Sequence, residues 1–159
     1  IMKLKTQKNA TLFSLFGMAY WFFGNLYEAI VFGPNWNQDD PEILHHLNSV
    51  FVQSSPNAYF VPMTLFEALS VWIVTFLNKI DAVKKEYKIA SILTLIITVL
   101  TSLIVALVLS KMFGPEFYEN QSEGSYYGTL WNYLNVVRMI LEAATIYYLF
   151  NIYRKLDKI

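Results

Sequence analysis

Long apolar stretches alternate with shorter polar segments along the whole chain. Four apolar stretches stand out, at about Leu12–Phe32, Tyr59–Leu77, Ile89–Leu109 and Leu130–Ile152. Each is close to the roughly 20 residues that an α-helix needs to cross about 30 Å of hydrocarbon. The pattern therefore predicts an all-α integral membrane protein, an up-down four-helix bundle that forms one membrane domain over residues 1–159.

The connecting segments differ in charge, which gives the predicted spans an orientation. Lysine and arginine are retained on the cytoplasmic side of a membrane. In this chain they precede the first span, lie between the second and third spans, and follow the fourth. These residues are Lys3, Lys5 and Lys8; Lys79, Lys84, Lys85 and Lys88; and Arg154, Lys155 and Lys158. The other two connections are mainly acidic. We therefore expect both termini to be cytoplasmic, in a protein of the cytoplasmic (plasma) membrane that is surrounded by membrane lipid.

Composition narrows the classes of function. The chain is 55% hydrophobic and 15% charged, which leaves little sequence for a soluble domain. It has no cysteine, so intrachain disulfides, thiol redox chemistry and thiolate metal sites are excluded. A net charge of zero and the lack of a glycine-rich phosphate loop give no support for nucleotide or nucleic-acid partners.

The first outer connection is long enough to have structure of its own. Asp40 can cap a helix that has Pro41 in its first turn, where backbone amides lack partners. Apolar residues then recur at helical spacing, which predicts a short amphipathic helix at about 41–53. It is either a structural loop helix or a lid over a binding site. His45 and His46 project about 100° apart on such a helix, so no metal site is expected.

The polar residues inside the apolar stretches are the candidates for a functional site. The first span carries Trp21, Asn25 and Glu28, and the second carries Glu67. The fourth has one polar side at steps of four, three, four and three: Trp131, Asn135, Arg138, Glu142 and Thr145. Charged groups are costly in hydrocarbon, so these residues should face the bundle interior and pair there.

Charge counting suggests roles for them. Arg138 is within reach of Glu28, Glu67 and Glu142, but one arginine cannot neutralise three carboxylates. One or two carboxyls should therefore be protonated, or face water or a bound cation. We assign Arg138 as an electrostatic anchor, with Glu67 and Glu142 as catalytic acid/base or counter-ion groups. Ligand-binding roles are assigned to Trp21, Asn25, Glu28, Trp131 and Asn135. The alternative is a polar clasp that only orders the helices.

Three segments resemble the four-span family DUF1772, the anthrone-oxygenase-like proteins: GNLYEAIVFGPNW (Gly24–Trp36), SPNAYFVP (Ser55–Pro62) and WNYLNVVRMILE (Trp131–Glu142). The likeness covers nearly the whole chain in order and span number. It implies a cofactor-free oxidoreductase that acts on an aromatic, hydrophobic substrate. The tryptophan and arginine of the last helix are the best-matched features. Some relatives carry histidine where this chain has Asn135, which argues against chemistry that needs an imidazole base.

Other classes of membrane protein fit less well. A haem electron carrier needs axial ligands within the spans, and none of the four spans contains a histidine. A transporter is not indicated, because the spans show no clear inverted repeat. The second hypothesis is a non-catalytic accessory or structural subunit that docks on a larger membrane complex or forms a homo-oligomer. A polar pocket beneath the first outer loop would favour a protein that binds a small lipophilic molecule, and a closed bundle would favour the accessory subunit.

The charge asymmetry predicts which connections are accessible from outside the cell. The chain has no native cysteine, so single cysteines can be introduced without background. Cysteines at Asn37 and Gln121 should react with an impermeant thiol reagent on intact cells, whereas one at Lys84 should not. Labelling at Lys84 alone would reverse the predicted orientation.

Overall fold

The computed structural model describes residues 3–37, 56–113 and 124–159, together with positions 42, 46, 49, 50 and 53. Within this part of the chain the regular structure is helical, and no β-strand is found. The all-α prediction is therefore confirmed. The predicted loop helix at about 41–53, with His45, lies mainly outside the described residues.

The helices are longer than the apolar stretches that predicted them. They are α1 (Leu4–Val31), α2 (Gly33–Trp36), α3 (Asn57–Leu77), a 3-10 turn (Asp81–Val83), α4 (Lys84–Leu103), a π-helical segment (Ile104–Leu109), α5 (Ser110–Phe113) and α6 (Gly124–Leu156). Three helical stretches in the described residues are long and apolar enough to cross a membrane: Ala58–Leu77, Asp81–Phe113 and Tyr126–Leu156. The chain thus has the helices of a membrane protein.

The four long helices pack in a ring. Both α1 and α4 contact α3 on one side and α6 on the other. Neighbours run antiparallel, because contacts join the start of one helix to the end of the next. Gln7 Nε2 donates to Asn78 Oδ1 (2.5 Å), and Lys8 forms an ion pair with Asp157. The two ends of the described chain therefore lie at the same end of the bundle, which we call the terminal end.

Buried positions repeat with a period of 3.5 residues. On α1 they are Gln7, Thr11, Ser14, Met18, Trp21, Asn25 and Glu28. On α6 they are Gly128, Trp131, Asn135, Arg138, Glu142, Thr145, Leu149, Ile152 and Leu156. Alternating steps of three and four keep one side of a helix against its neighbours, as in left-handed bundles.

Helix α1 has a polar interior face and an apolar exterior face, the reverse of a helix in a water-soluble protein. Large side chains cover its exposed side: Phe13, Phe16, Tyr20, Phe23 and Tyr27. Its buried side carries an amide and a carboxyl, Asn25 and Glu28. The polar residues lower the mean hydropathy of α1, although they point away from the surroundings. This is why α1 falls outside the set of helices that qualify as spans by length and apolarity.

The interior is layered along the bundle axis. One apolar cluster, around Val71, Tyr87 and Leu149, lies in the terminal half, beside the buried polar residues at the start of α1. A second surrounds Trp36 and Trp131, whose rings meet edge to face with their centroids 4.5 Å apart. Between the two clusters lies a layer of buried polar side chains.

At Gly128 an added side-chain atom would clash with the backbone of a neighbouring helix, which cannot easily move aside. A Cβ at this position would lie 2.1 Å from the backbone carbonyl oxygen of Trp36, so α2 rests directly on α6. Glycine to alanine inside a helix ordinarily stabilises by about 0.5–1 kcal/mol. Here we expect Gly128→Ala to destabilise the bundle, by about 1–3 kcal/mol typical of overpacking.

The control is Gly17→Ala, where the added Cβ would meet the carboxyl of Glu67, the movable end of a flexible side chain. Its loss of stability should be smaller. Thermal unfolding in detergent measures both variants. A Gly128→Ala protein as stable as the wild type would contradict the predicted clash.

Candidate functional site

Arg138 is the centre of the buried polar layer. Its side chain is 3% exposed, on α6 at a position where the helix faces α1 and α4. Nε and Nη2 both donate to Asn135 Oδ1, the former at 3.1 Å. Nη2 also lies 3.8 Å from Glu28 Oε2. The cation is therefore held by an amide of its own helix and neutralised by a carboxylate of α1.

Hydrogen bonds continue from Asn135 into α1. Asn135 Nδ2 donates to the backbone carbonyl of Asn25 (3.2 Å). Asn25 Nδ2 donates in turn to Glu142 Oε1 (2.6 Å). Five predicted site residues, Asn25, Glu28, Asn135, Arg138 and Glu142, thus form one network that joins α1 to α6. We call it the Arg138 network.

Glu67 occupies a different level of the bundle. It is fully buried on α3, and its carboxyl packs against the backbone of α1 at Gly17. Ser70 Oγ is 3.5 Å from Glu67 Oε2, at the limit of a hydrogen bond. Gly17 precedes Glu28 by eleven residues, or about 16 Å along α1. Among the described residues no ion pair joins Glu67 to Arg138, and the partner of Arg138 is Glu28.

Several buried polar atoms have no hydrogen-bond partner within the described residues. They are Ser14 Oγ, Trp21 Nε1, Asn25 Oδ1, Glu67 Oε1, Thr101 Oγ1 and Glu142 Oε2. An unsatisfied buried donor or acceptor costs about 1–3 kcal/mol, so native proteins keep few of them. Three of the six, Ser14, Trp21 and Asn25, lie on the buried face of α1.

A pocket of about 320 Å³ lies beside the Arg138 network, between α3 and α4. Its apolar lining is Phe60, Val61, Leu65, Ile104, Val105 and Leu109. Its neutral polar lining is Thr64, Thr98, Thr101 and Ser102. Glu28, Trp131 and Arg138 line the inner end. Val61 and Leu65 are 51% and 58% exposed, so the pocket opens sideways, through the outer surface of the bundle.

Both helices that frame the opening depart from regular geometry. Pro62 lies within α3 between the lining residues Val61 and Thr64, and it removes one backbone donor. On the facing helix the π-helical segment Ile104–Leu109 supplies lining residues. Single π-helical turns are rare and occur often at functional sites. Pro62 and the π-helical segment thus both lie at or next to residues that line the pocket.

The sequence-predicted residues divide into three groups. Glu28, Trp131 and Arg138 line the pocket. Asn25, Asn135 and Glu142 support it through the Arg138 network. Trp21 and Glu67 are buried but do not line the pocket, and lie nearer the terminal end. Within the described residues, no group of three or more potential ligands could hold a metal ion.

Sequence reasoning missed the contribution of α4. The hydroxyls of Thr94 and Thr98 bond to carbonyls of their own helix, as small residues in a packing seam do. Thr101, on the same stripe, lines the pocket, and its buried hydroxyl has no partner in the part of the chain that the structure describes. Regular spacing of these threonines was the available signal, but it does not show which hydroxyl stays unpaired.

No family model, curated protein or solved structure matches this chain. The resemblance to the anthrone-oxygenase-like family stays a prediction.

The ion pair between Arg138 and Glu28 predicts a specific rescue. Arg138→Leu leaves a buried carboxylate without its partner, which should destabilise the bundle by about 3–5 kcal/mol. Adding Glu28→Gln removes the orphaned charge and should recover part of the loss. Adding Glu67→Gln instead should recover none, because Glu67 lies at another level. Denaturation in detergent compares the three proteins, and equal rescue by both glutamines would contradict the observed pairing.

Proposed function

We propose that the chain is a four-span membrane protein with both termini in the cytoplasm. Three helices are long and apolar enough to span. Helix α1 runs antiparallel beside α6, from the Lys8–Asp157 contact at one end to the Glu28–Arg138 contact at the other. A helix that accompanies a span over this length shares its depth, and the aromatic outer face of α1 suits lipid.

The distribution of charge supports the orientation. Two ion pairs lie at the terminal end, Lys8 with Asp157 and Lys155 with Glu86. The lysines at the start of α4, Lys84 and Lys85, belong to the same end. Excess positive charge marks the cytoplasmic side. The Arg138 pocket then lies in the outer half of the membrane.

The bundle, in this proposal, binds a small lipophilic molecule that carries one polar group. The observation behind it is the 320 Å³ pocket, whose walls are apolar and whose inner end holds a buried arginine–glutamate pair. Small-molecule sites commonly have volumes of about 300–1,000 Å³, apolar walls and a few convergent polar groups. The volume and lining of this pocket match that description.

The inner end of the pocket indicates which polar group is recognised. Arg138 carries five N–H donors, and its 3.8 Å separation from Glu28 leaves their capacity only partly used. Thr101 adds a hydroxyl that has no partner among the described residues. Such donors suit a hydroxyl, carbonyl or carboxylate oxygen. The lateral opening allows the apolar remainder of the molecule to enter from the lipid phase.

The activity implied by the family resemblance, oxidation of an aromatic substrate, is a further prediction for the same pocket. An aromatic molecule with a phenol or ketone oxygen fits the ligand class above. The alternative, an accessory subunit in a larger membrane complex, needs no occupied pocket. Ligand retention therefore separates the two classes.

Filling the pocket should expel its ligand without disturbing the bundle. Thr98 lines the pocket, so Thr98→Phe should abolish co-purification of the lipophilic molecule. Ile96→Phe places the same ring on an exposed position of the same helix and should retain the molecule at the wild-type level. Mass spectrometry of organic extracts from the purified proteins measures the difference.

Two further readings complete the experiment. Thermal stability of both variants shows that they are folded. Oxygen uptake with aromatic test substrates, measured on the same preparations, tests the oxidation reaction. Well-folded wild-type protein with no enriched molecule and no oxygen uptake would favour the accessory-subunit alternative.

A further inference from the structure

The buried face of α1 carries polar groups from the terminal end to the Arg138 pocket. Gln7, Thr11, Ser14, Asn25 and Glu28 follow one another on this face, each 6% exposed or less. At the terminal end, Gln7 bonds to Asn78 (2.5 Å), and the hydroxyls of Thr11 and Tyr87 share a hydrogen bond (2.5 Å). At the other end, Glu28 lines the pocket. We call this series the polar line.

Carboxyls from two other helices complete the polar line. Between Ser14 and Trp21, α1 itself offers only Gly17 and Met18 as inward positions. There the carboxyl of Glu67 reaches across from α3 and lies against Gly17. Two turns further along α1, Asn25 bonds to Glu142 of α6 (2.6 Å). Two titratable groups thus lie on the line about 12 Å apart, from a rise of about 1.5 Å per residue.

The atoms without a partner in the described residues lie on the same line. Ser14 Oγ comes before Glu67 Oε1, Trp21 Nε1 lies between the two carboxyls, and Glu142 Oε2 comes after it. Ser14, Trp21, Glu67 and Glu142 are all fully buried. Buried polar atoms of this kind are normally satisfied by internal water, which makes about three hydrogen bonds. Successive groups are one helical turn apart, a gap that one or two waters bridge.

We propose that the polar line is a proton pathway that connects the terminal end of the bundle with the Arg138 pocket. Glu67 and Glu142 accept and release the proton, and the Trp21 N–H donates to one water of a short chain between them. A proton leaves Glu67 for the first water of this chain as another passes from the last water to Glu142, and the waters between exchange one proton each. Glu67 is then reprotonated from the terminal side. Only O–H bonds form and break, so no oxidant or reductant is needed.

The pathway goes beyond ligand binding and does not require an identified ligand. It gives a function to Glu67 and Trp21, which lie outside the pocket, and to the unpartnered oxygens on either side of them. At the pocket end of the line, Arg138 is paired with Glu28.

Proton flux into vesicles tests the pathway. Purified protein is reconstituted in phosphatidylcholine vesicles that contain a pH-sensitive dye, and valinomycin with a potassium gradient sets the membrane potential. We expect the wild-type flux to exceed that of protein-free vesicles. Glu67→Gln and Glu142→Gln should lower the added flux by about a hundredfold, within the range for loss of a proton-transfer group.

Matched variants separate the pathway from folding. Glu86→Gln removes a carboxyl that pairs with Lys155 at the terminal end and should leave the flux unchanged. Trp21→Phe keeps an aromatic ring but removes the N–H, and should lower the flux even if the glutamate variants fail to fold. Wild-type flux equal to that of protein-free vesicles, or unchanged flux in Trp21→Phe and both folded glutamate variants, would overturn the proposal. The flux of the wild-type protein and the flux of these variants are measured independently of whether the Thr98→Phe protein retains a ligand.

Discussion

The burial of Arg138 is the constraint on which the rest of the interior depends. A buried cation is tolerated only when it is paired and hydrogen-bonded. Asn135 on the same helix and Glu28 on α1 meet these needs, and Asn135 is itself anchored to the backbone of α1. A shift of α1 along α6 by one turn, about 5.4 Å, would break both of the contacts that reach α1, from Asn135 to Asn25 and from Arg138 to Glu28. The pair therefore sets the register of the two longest helices.

A polar interior also changes how the helices are held together. Lipid is as apolar as leucine, so apolar side chains provide little drive for helices to associate within a membrane. Hydrogen bonds between helices and close contact between their backbones hold such a bundle together instead. Asn25 bonds to Glu142, and small residues at Gly17 and Gly128 let Glu67 and Trp36 approach the backbone. The apolar residues are used instead to cover the outside and to fill the layers above and below the network.

The pocket forms where this bonding is interrupted. Toward the terminal end, α3 and α4 are joined by hydrogen bonds of Trp72 and Thr75 to the first turns of α4. In the other half, Pro62 removes a backbone donor of α3 next to the lining residue Val61, and the π-helical segment Ile104–Leu109 supplies lining residues from α4. Side chains at the opening, such as Val61 and Leu65, are exposed, while Arg138 and Glu28 are buried. This gradient from apolar to charged within one cavity suits a molecule with an apolar body and one polar end.

The sequence by itself determined the long helices and the buried side of α6. Length and apolarity identify the helices, and the 3.5-residue spacing of Trp131, Asn135, Arg138 and Glu142 places them on one side, because both properties are local to a helix. Tertiary structure decided the partners. Only the antiparallel packing selects Glu28 for Arg138, brings Glu67 to Gly17 and leaves the Thr101 hydroxyl without a partner among the described residues. These outcomes depend on the relative depth and rotation of separate helices, which side-chain spacing within one helix does not encode.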